Sequence, residues 1–434
     1  MTKLSNTLYQ SRRAHVMATL PKGSVAVLRT GGLCTRNNDC EYEFRPNSLF
    51  FYLTGFPEPD AYLIIDQEGR ANLFSLPKDI EKEQWEGFRY GEDAADAFGV
   101  NKVQTLSALE GDALAILDGA AEIVFPLEDT VLQDKVMAWR STLSKRARAG
   151  AIAPTILRDL TPIVSEMRLI KSAEEIALME KAAQISVQAH RAAMQAVKPG
   201  MMEYQLEAEL NYQFMKSGSR QLAYNNIVAS GANACTLHYI NNQDQIDDGD
   251  LVLIDAGCEL GCYASDITRT FPANGRFSEA QAALYQVVLE AYYAGFEKLT
   301  VGEAYEACHN AAVETITAGL LTLGLLSGNL QTLIENKAYR AFYMHNTGHW
   351  LGLDVHDVGA YKIGSDSRAL QAGMVLTLEP GIYVSKDNMD VESKWRGIGI
   401  RIEDDIVITD QGPYVLTHGL PKEIADIELL IAGN

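Results

Sequence analysis

Short apolar runs bounded by turn-forming residues mark the first 165 positions of the chain. SVAVLRT (24–30), AYLIID (61–66), ANLFSL (71–76) and AEIVFPL (121–127) read as strands. FRPNS and GFPEPD are turn-rich stretches among them. Strands alternating with helical intervals predict a compact α/β domain over 1–168.

The pattern changes near 166–172. Ser172 and Glu175 make a capping-box pattern, and an alanine-rich amphipathic helix follows to about Val197. Pro199 and Gly200 stop it, and a second helix is predicted over 203–216, ending at Gly218. DLVLIDAGC and CYASDITRTF are strand-like. Ser278 and Gln281 open another helix with a second capping box, and a further helix is predicted from about Gly302. GMVLTLEPGIYV and GIGIRIEDDIVIT read as closing strands. A helix pair followed by a hairpin thus occurs twice, over 172–272 and 278–409. That suggests an internal pseudo-repeat. Helices grouped with antiparallel strands predict an α+β domain over 169–434.

Composition narrows the class. Of 434 residues, 47% are hydrophobic and 22% charged, enough for a large core and unlike a disordered chain. Lys and Arg number 37 against 57 Asp and Glu, a net charge of −20. Such a surface repels phosphate backbones, so neither nucleic acid nor an anionic membrane is expected as the main partner. No apolar run reaches 18 residues, so no membrane helix is expected, and MTKLSNTLYQSRRAH lacks a signal core. Six cysteines in this length are no disulfide framework. Cys258 and Cys262 lack the two-pair spacing of a zinc site and read as reduced bystanders. The expected compartment is the cytoplasm.

Charged residues at the ends of apolar runs carry the candidate chemistry. Asp255 closes the run 251–254. A two-residue turn at Leu260 and Gly261 would set it directly opposite Asp266, with Cβ atoms about 4.5–5.5 Å apart. Facing carboxylates repel, so either one holds a proton or a divalent cation lies between them. The same spacing also fits two solvated acids on an exposed face.

Three histidines, His345, His349 and His356, fall within twelve residues. Gly348 and Gly352 disfavour a helix there, so a turn with a short strand is predicted. Glu379 ends a strand before Pro380. Alternation puts Ile398, Ile400 and Ile402 on one face and Arg401 and Glu403 on the other. A surface salt-bridge strand is the plain reading, but the isoleucines and the neighbouring histidines suggest that both faces are enclosed. A buried glutamate needs a cation. Asp255, Asp266, His349, Glu379 and Glu403 form an oxygen-rich donor set. It suits manganese, cobalt, iron or zinc, and two divalent ions would balance its carboxylates. Such a pair generates hydroxide near neutral pH and polarises a carbonyl.

In that order, and in the phrases LIDAGC, SDITRTFPANG, HWLGLDVHDVG, LEPGIY and GIGIRIEDDIVIT, the chain resembles the aminopeptidase P (Xaa-Pro aminopeptidase) family. That family's catalytic domain has the pita-bread fold of prolidase, methionine aminopeptidase and creatinase. TRNNDCEYEFRPNSLFFYLTGFPEPDA (35–61) is similar to its N-terminal domain. The resemblance implies release of the residue before a proline, with two divalent ions, most simply Mn²⁺. It implies that Asp255 chelates one ion, His349 and Glu379 the other, and that Asp266 and Glu403 bridge them. A bridging hydroxide would attack the carbonyl before proline, and Glu379 would relay the proton. His356 would steady the oxyanion, and His238 and Arg401 would support substrate and ligands. His345, Tyr383 and Trp85 would line the proline pocket. A homotetramer is implied, in which Asp39 and Trp85 reach a neighbour's cleft. Asn346 departs from the small residue expected after His345, which bears on pocket shape. Two alternatives stay open: a prolidase acting on Xaa-Pro dipeptides, and a metal-free pita-bread scaffold.

Overall fold

The computed structural model describes residues 3–433. The chain divides into two compact units between Met167 and Arg168. No helix among the described residues is long and apolar enough to cross a membrane.

The N-terminal unit is built on a six-stranded mixed sheet. Ser24–Arg29 lies between Tyr62–Ile65, antiparallel, and Glu122–Phe125, parallel. These strands are buried on both faces, which is why they read as unbroken apolar runs rather than alternating ones. Helix Thr130–Lys145 covers one face with Leu132, Val136, Trp139 and Leu143, a spacing of four, three and four residues. Two strands of this sheet are not predicted from the sequence, Lys102–Thr105 and Ile156–Asp159. Both sit at the sheet's edges and are half exposed, so they lack an apolar run to betray them.

In the C-terminal unit helix Ala173–Ala196 starts at Ser172 with both bonds of its capping box, and Ser278 does the same for Glu279–Phe296. Each helix is followed by a second, Glu203–Lys216 and Glu306–Thr322. The last of these starts later than the sequence reading placed it. Residues 302–305 instead bond the chain at 368–370: Gly302 N–H donates to Leu370 C=O and Tyr305 N–H to Arg368 C=O. Each helix pair is accompanied by a three-stranded antiparallel sheet. One joins Ile227–Ser230, Leu251–Asp255 and Thr268–Pro272; the other joins Val375–Leu378, Asp404–Thr409 and Gly412–Val415.

The hairpin register differs from expectation. Asp255 pairs with Thr268, not Asp266, and Leu260 pairs with Tyr263. The turn is therefore Gly261-Cys262, both with positive φ (58° and 68°), the left-handed pair that a tight hairpin turn requires. A slip of two residues preserves side-chain parity. Asp255 and Asp266 thus remain on one face, as diagonal rather than direct neighbours. The histidine segment also differs: residues 351–361 form neither helix nor strand, and only an isolated bridge joins Trp350 to Leu376.

Candidate metal centre and its cleft

Strand ends deliver the acids. Asp255 is the last residue of Leu251–Asp255, and Asp266 lies two residues before the start of Thr268–Pro272. Glu379 sits between Val375–Leu378 and Gly381–Val384; Glu403 sits between Ile398–Arg401 and Asp404–Thr409. Ladder pairing stops at these points, which frees each side chain to turn inward. Backbone bonds still hold them: Glu403 N–H donates to Thr268 C=O at 3.0 Å, and Glu379 N–H to Thr347 C=O at 2.8 Å. His349 is clamped to Thr377 by its N–H to Oγ1 (3.1 Å) and by Thr377 N–H to its C=O (2.9 Å). That approach needs a glycine beside it. A Cβ on Gly348 would lie 2.1 Å from Thr377 O.

The donor set fits a hard or borderline divalent cation. Asp266, His349 and Glu403 each offer a ligand atom, all within 4.8 Å of one another. His349 Nδ1 donates to Trp350 C=O at 3.0 Å, which commits the ring proton and leaves Nε2 as the ligand atom. Nε2 lies 3.3 Å from Asp266 Oδ2 and 3.7 Å from Glu379 Oε1. Asp255 belongs to the same cluster. The Tyr224 hydroxyl lies 2.6 Å from Asp255 Oδ1 and 2.5 Å from Asp266 Oδ1.

Electrostatics point the same way. Burial pushes Asp255, Glu379 and Glu403 above the usual carboxylate range, Glu379 to about 7. Burial acts on Asp266 too, but its bonds to His349 and Tyr224 outweigh it and hold this acid low. His349 is the counterpart: burial opposes its charge, yet Asp266 raises it to about 9. Four carboxylates around one guanidinium, Arg401, are a cation's environment.

Several supporting residues gave no signal in the sequence. Thr268 Oγ1 donates to Glu403 Oε2 at 2.6 Å and accepts from Arg401 Nε at 3.1 Å. Asp405, buried, accepts the Asp266 N–H at 3.2 Å. Tyr224 and Thr377 are of the same kind. Each acts across a long sequence separation, and although Thr268 and Asp405 lie inside SDITRTFPANG and GIGIRIEDDIVIT, nothing local marks what they touch.

The cleft around the centre has a volume of about 630 Å³. His238, His345, His356 and Arg401 line it with the five candidate ligands, and so does Asn346. Ile227, Leu237, Ile240 and Val355 supply apolar wall. Tyr383 does not line it. That side chain is buried behind the wall, where its hydroxyl meets His345 Nε2 at 2.8 Å and Arg401 at 3.0 Å. Asp39 and Trp85 belong to the N-terminal unit, and both are exposed there, Trp85 at 89%.

Known proteins match the whole chain. Residues 177–410 match metallopeptidase family M24, and residues 9–125 match the aminopeptidase P N-terminal domain. The Xaa-Pro aminopeptidase of Haemophilus influenzae is 44% identical over 99% of this chain and 98% of its own. That of Escherichia coli is 42% identical over 100% and 99%. The structure of Pseudomonas aeruginosa aminopeptidase PepP superimposes with a TM-score of 0.98 at 46% identity, covering 100% of this chain and 99% of that one.

Proposed function

The chain belongs to metallopeptidase family M24 and is a metallo-exopeptidase, and from that premise we propose that it releases the N-terminal residue from peptides with proline second. The proposal includes two divalent ions, Mn²⁺, held by Asp255, Asp266, His349, Glu379 and Glu403. When bound, such a pair supplies a hydroxide nucleophile near neutral pH and polarises the carbonyl before proline.

The residues of the chain do the rest. Glu379, raised to about 7, is suited to pass a proton at working pH. His356 lines the cleft beside the His349 ring and is the donor for the developing oxyanion. Arg401 fixes Asp255 and, through Tyr383, the ring of His345. His345 and Val355 take the proline ring, and His238 steadies the peptide. Asp39 and Trp85 act at a neighbouring subunit's cleft in a cytoplasmic homotetramer.

One observation supports this reading above the others: five metal-competent donors converge on a single cleft that also holds three further imidazoles. That donor set argues against a metal-free scaffold. The test is a matched panel of Xaa-Pro, Xaa-Pro-Yaa and Xaa-Ala-Yaa peptides. Xaa-Pro-Yaa should be cleaved best. Cleavage of Xaa-Pro alone would make the protein a prolidase, and equal cleavage of Xaa-Ala-Yaa would remove the proline requirement.

A further inference from the structure

Among the described residues the His356 imidazole has no hydrogen-bond partner. Its ring packs edge-on against the His349 ring, with centroids 4.3 Å apart and planes at 76°. The surrounding segment, 351–361, has no regular structure to hold it. Its aim therefore depends on what fixes the backbone at the next residue.

Asp357 is fixed on three sides. Its N–H donates to Trp350 C=O at 2.8 Å. Its carboxylate is buried, with Oδ1 bonded to the Arg168 guanidinium and Oδ2 to Lys171 Nζ at 3.1 Å. Arg168 also reaches Asp354 Oδ2 at 2.7 Å, so it holds the segment on both sides of His356. Lys171 is anchored in turn: its N–H donates to Gly373 C=O at 2.8 Å. Gly352 leaves the space for this clamp. A Cβ there would lie 2.2 Å from Asp357 Oδ2 and 3.0 Å from Lys171 Cε.

Burying three charged groups is a poor way to gain stability alone, because desolvation offsets most of the attraction and apolar side chains would serve as well. What ion pairs add is direction. A carboxylate held at both oxygens fixes the chain trace at 357, and with it the outward path of residue 356. We propose that Asp357, clamped by Arg168 and Lys171, is a positioning residue that aims the His356 imidazole into the cleft. This rests on the oxyanion role given to His356 above.

The test is a double-mutant cycle in the full-length, metal-loaded enzyme. Asp357→Asn and Lys171→Met are measured alone and in a His356→Ala background, with kcat expressed per folded, metal-loaded site. Displacing a reacting group by about 1 Å costs up to roughly a hundredfold, so each single change should lower kcat about tenfold or more with little change in KM. In the His356→Ala background the same changes should cost less than about twofold, because the group they aim is gone. Lys171→Arg should keep kcat. The His356 ring resonances of the metal-free protein should shift in Asp357→Asn and not in Lys171→Arg. Should Asp357→Asn fail to fold, the Lys171→Met and Lys171→Arg pair makes the same comparison.

Equal losses in both backgrounds, or an unmoved His356 resonance, would overturn the proposal and leave the oxyanion role standing. Wild-type kcat in His356→Ala would overturn both together.

Discussion

Arg401 Nη2 lies 2.5 Å from Asp255 Oδ2, and both side chains are buried. This pair neutralises one of the four carboxylates that line the cleft. Asp266, Glu379 and Glu403 then have His349 as their nearest cationic partner, and without a further cation burial holds Glu379 and Glu403 above the usual carboxylate range. The remaining deficit is the physical reason for metal binding here.

Chelation should therefore abolish hydrolysis, and Mn²⁺ should restore it better than Mg²⁺. Metal that binds only the folded state also stabilises it, by about 2.7 kcal/mol at a hundred times the dissociation constant. Thermal unfolding with and without chelator measures that shift. Full activity in a sample that elemental analysis finds metal-free would end this reading.

Glu379→Gln should reduce kcat far more than it changes KM, because the amide keeps the shape and loses the proton relay. His356→Ala should cost about 2–4 kcal/mol in transition-state stabilisation. Metal content has to be measured in parallel, since Glu379 is also a candidate ligand. Near-normal turnover in both variants removes both roles.

Gly257 lies between the two hairpin aspartates, and a Cβ there would meet Ser265 O at 1.8 Å. The obstacle is backbone, so it cannot swing aside. Gly257→Ala should lose stability at or beyond the upper end of the usual overpacking cost, about 1–3 kcal/mol, and weaken Mn²⁺ binding by splaying the hairpin. Gly111→Ala is the control: it lies in helix Leu109–Leu117 with nothing within 4 Å of the added Cβ. It should stabilise by up to about 1 kcal/mol. Urea unfolding of both variants tests the contrast.

His190 is fully buried, with Nε2 donating to Ala256 C=O at 2.9 Å and Nδ1 without a partner. Burial depresses it from 6.5 to about 4. Below pH 6.5 the unfolded chain takes up a proton that the folded state refuses until about pH 4. Its contribution is thus present above pH 6.5 and lost as the pH falls towards 4, amounting to about 3 kcal/mol. His190→Gln should flatten that part of the stability-against-pH curve. An unchanged acid limb in the variant would assign the loss to other groups.

Trp85, Ile80 and Phe88 are 89%, 79% and 65% exposed within nine residues of the N-terminal unit. We propose that these exposed apolar side chains belong to an interaction surface. Light scattering should give the mass of a tetramer, and Trp85→Ala should weaken it. Mixing Trp85→Ala with Glu379→Gln subunits should restore some activity if neighbours share a site. A fully active monomer at assay concentration contradicts the shared site.

Asp255, Glu379 and His349 were legible in the sequence because each breaks a local rule, an acid at the end of an apolar run or a histidine between glycines; Glu403 was reached through strand alternation, and Asp266 through a hairpin register that the structure shifts by two residues. The helix starts at Ser172 and Ser278 were equally legible, since a capping box is a contact between residues three apart. The boundaries and types of these elements follow from nearest neighbours and need no knowledge of the rest of the chain.

Tertiary structure alone decided the hairpin register, the burial of Tyr383 and the supports of the site. Turn geometry at Gly261 and Cys262 chose the register, and the alternation of side chains could not, because a slip of two leaves every face unchanged. Tyr224 meets Asp255 across 31 residues, and Arg168 meets Asp357 across 189. Such contacts leave no periodic trace, because the partners are brought together by the packing of separate elements and not by spacing along the chain.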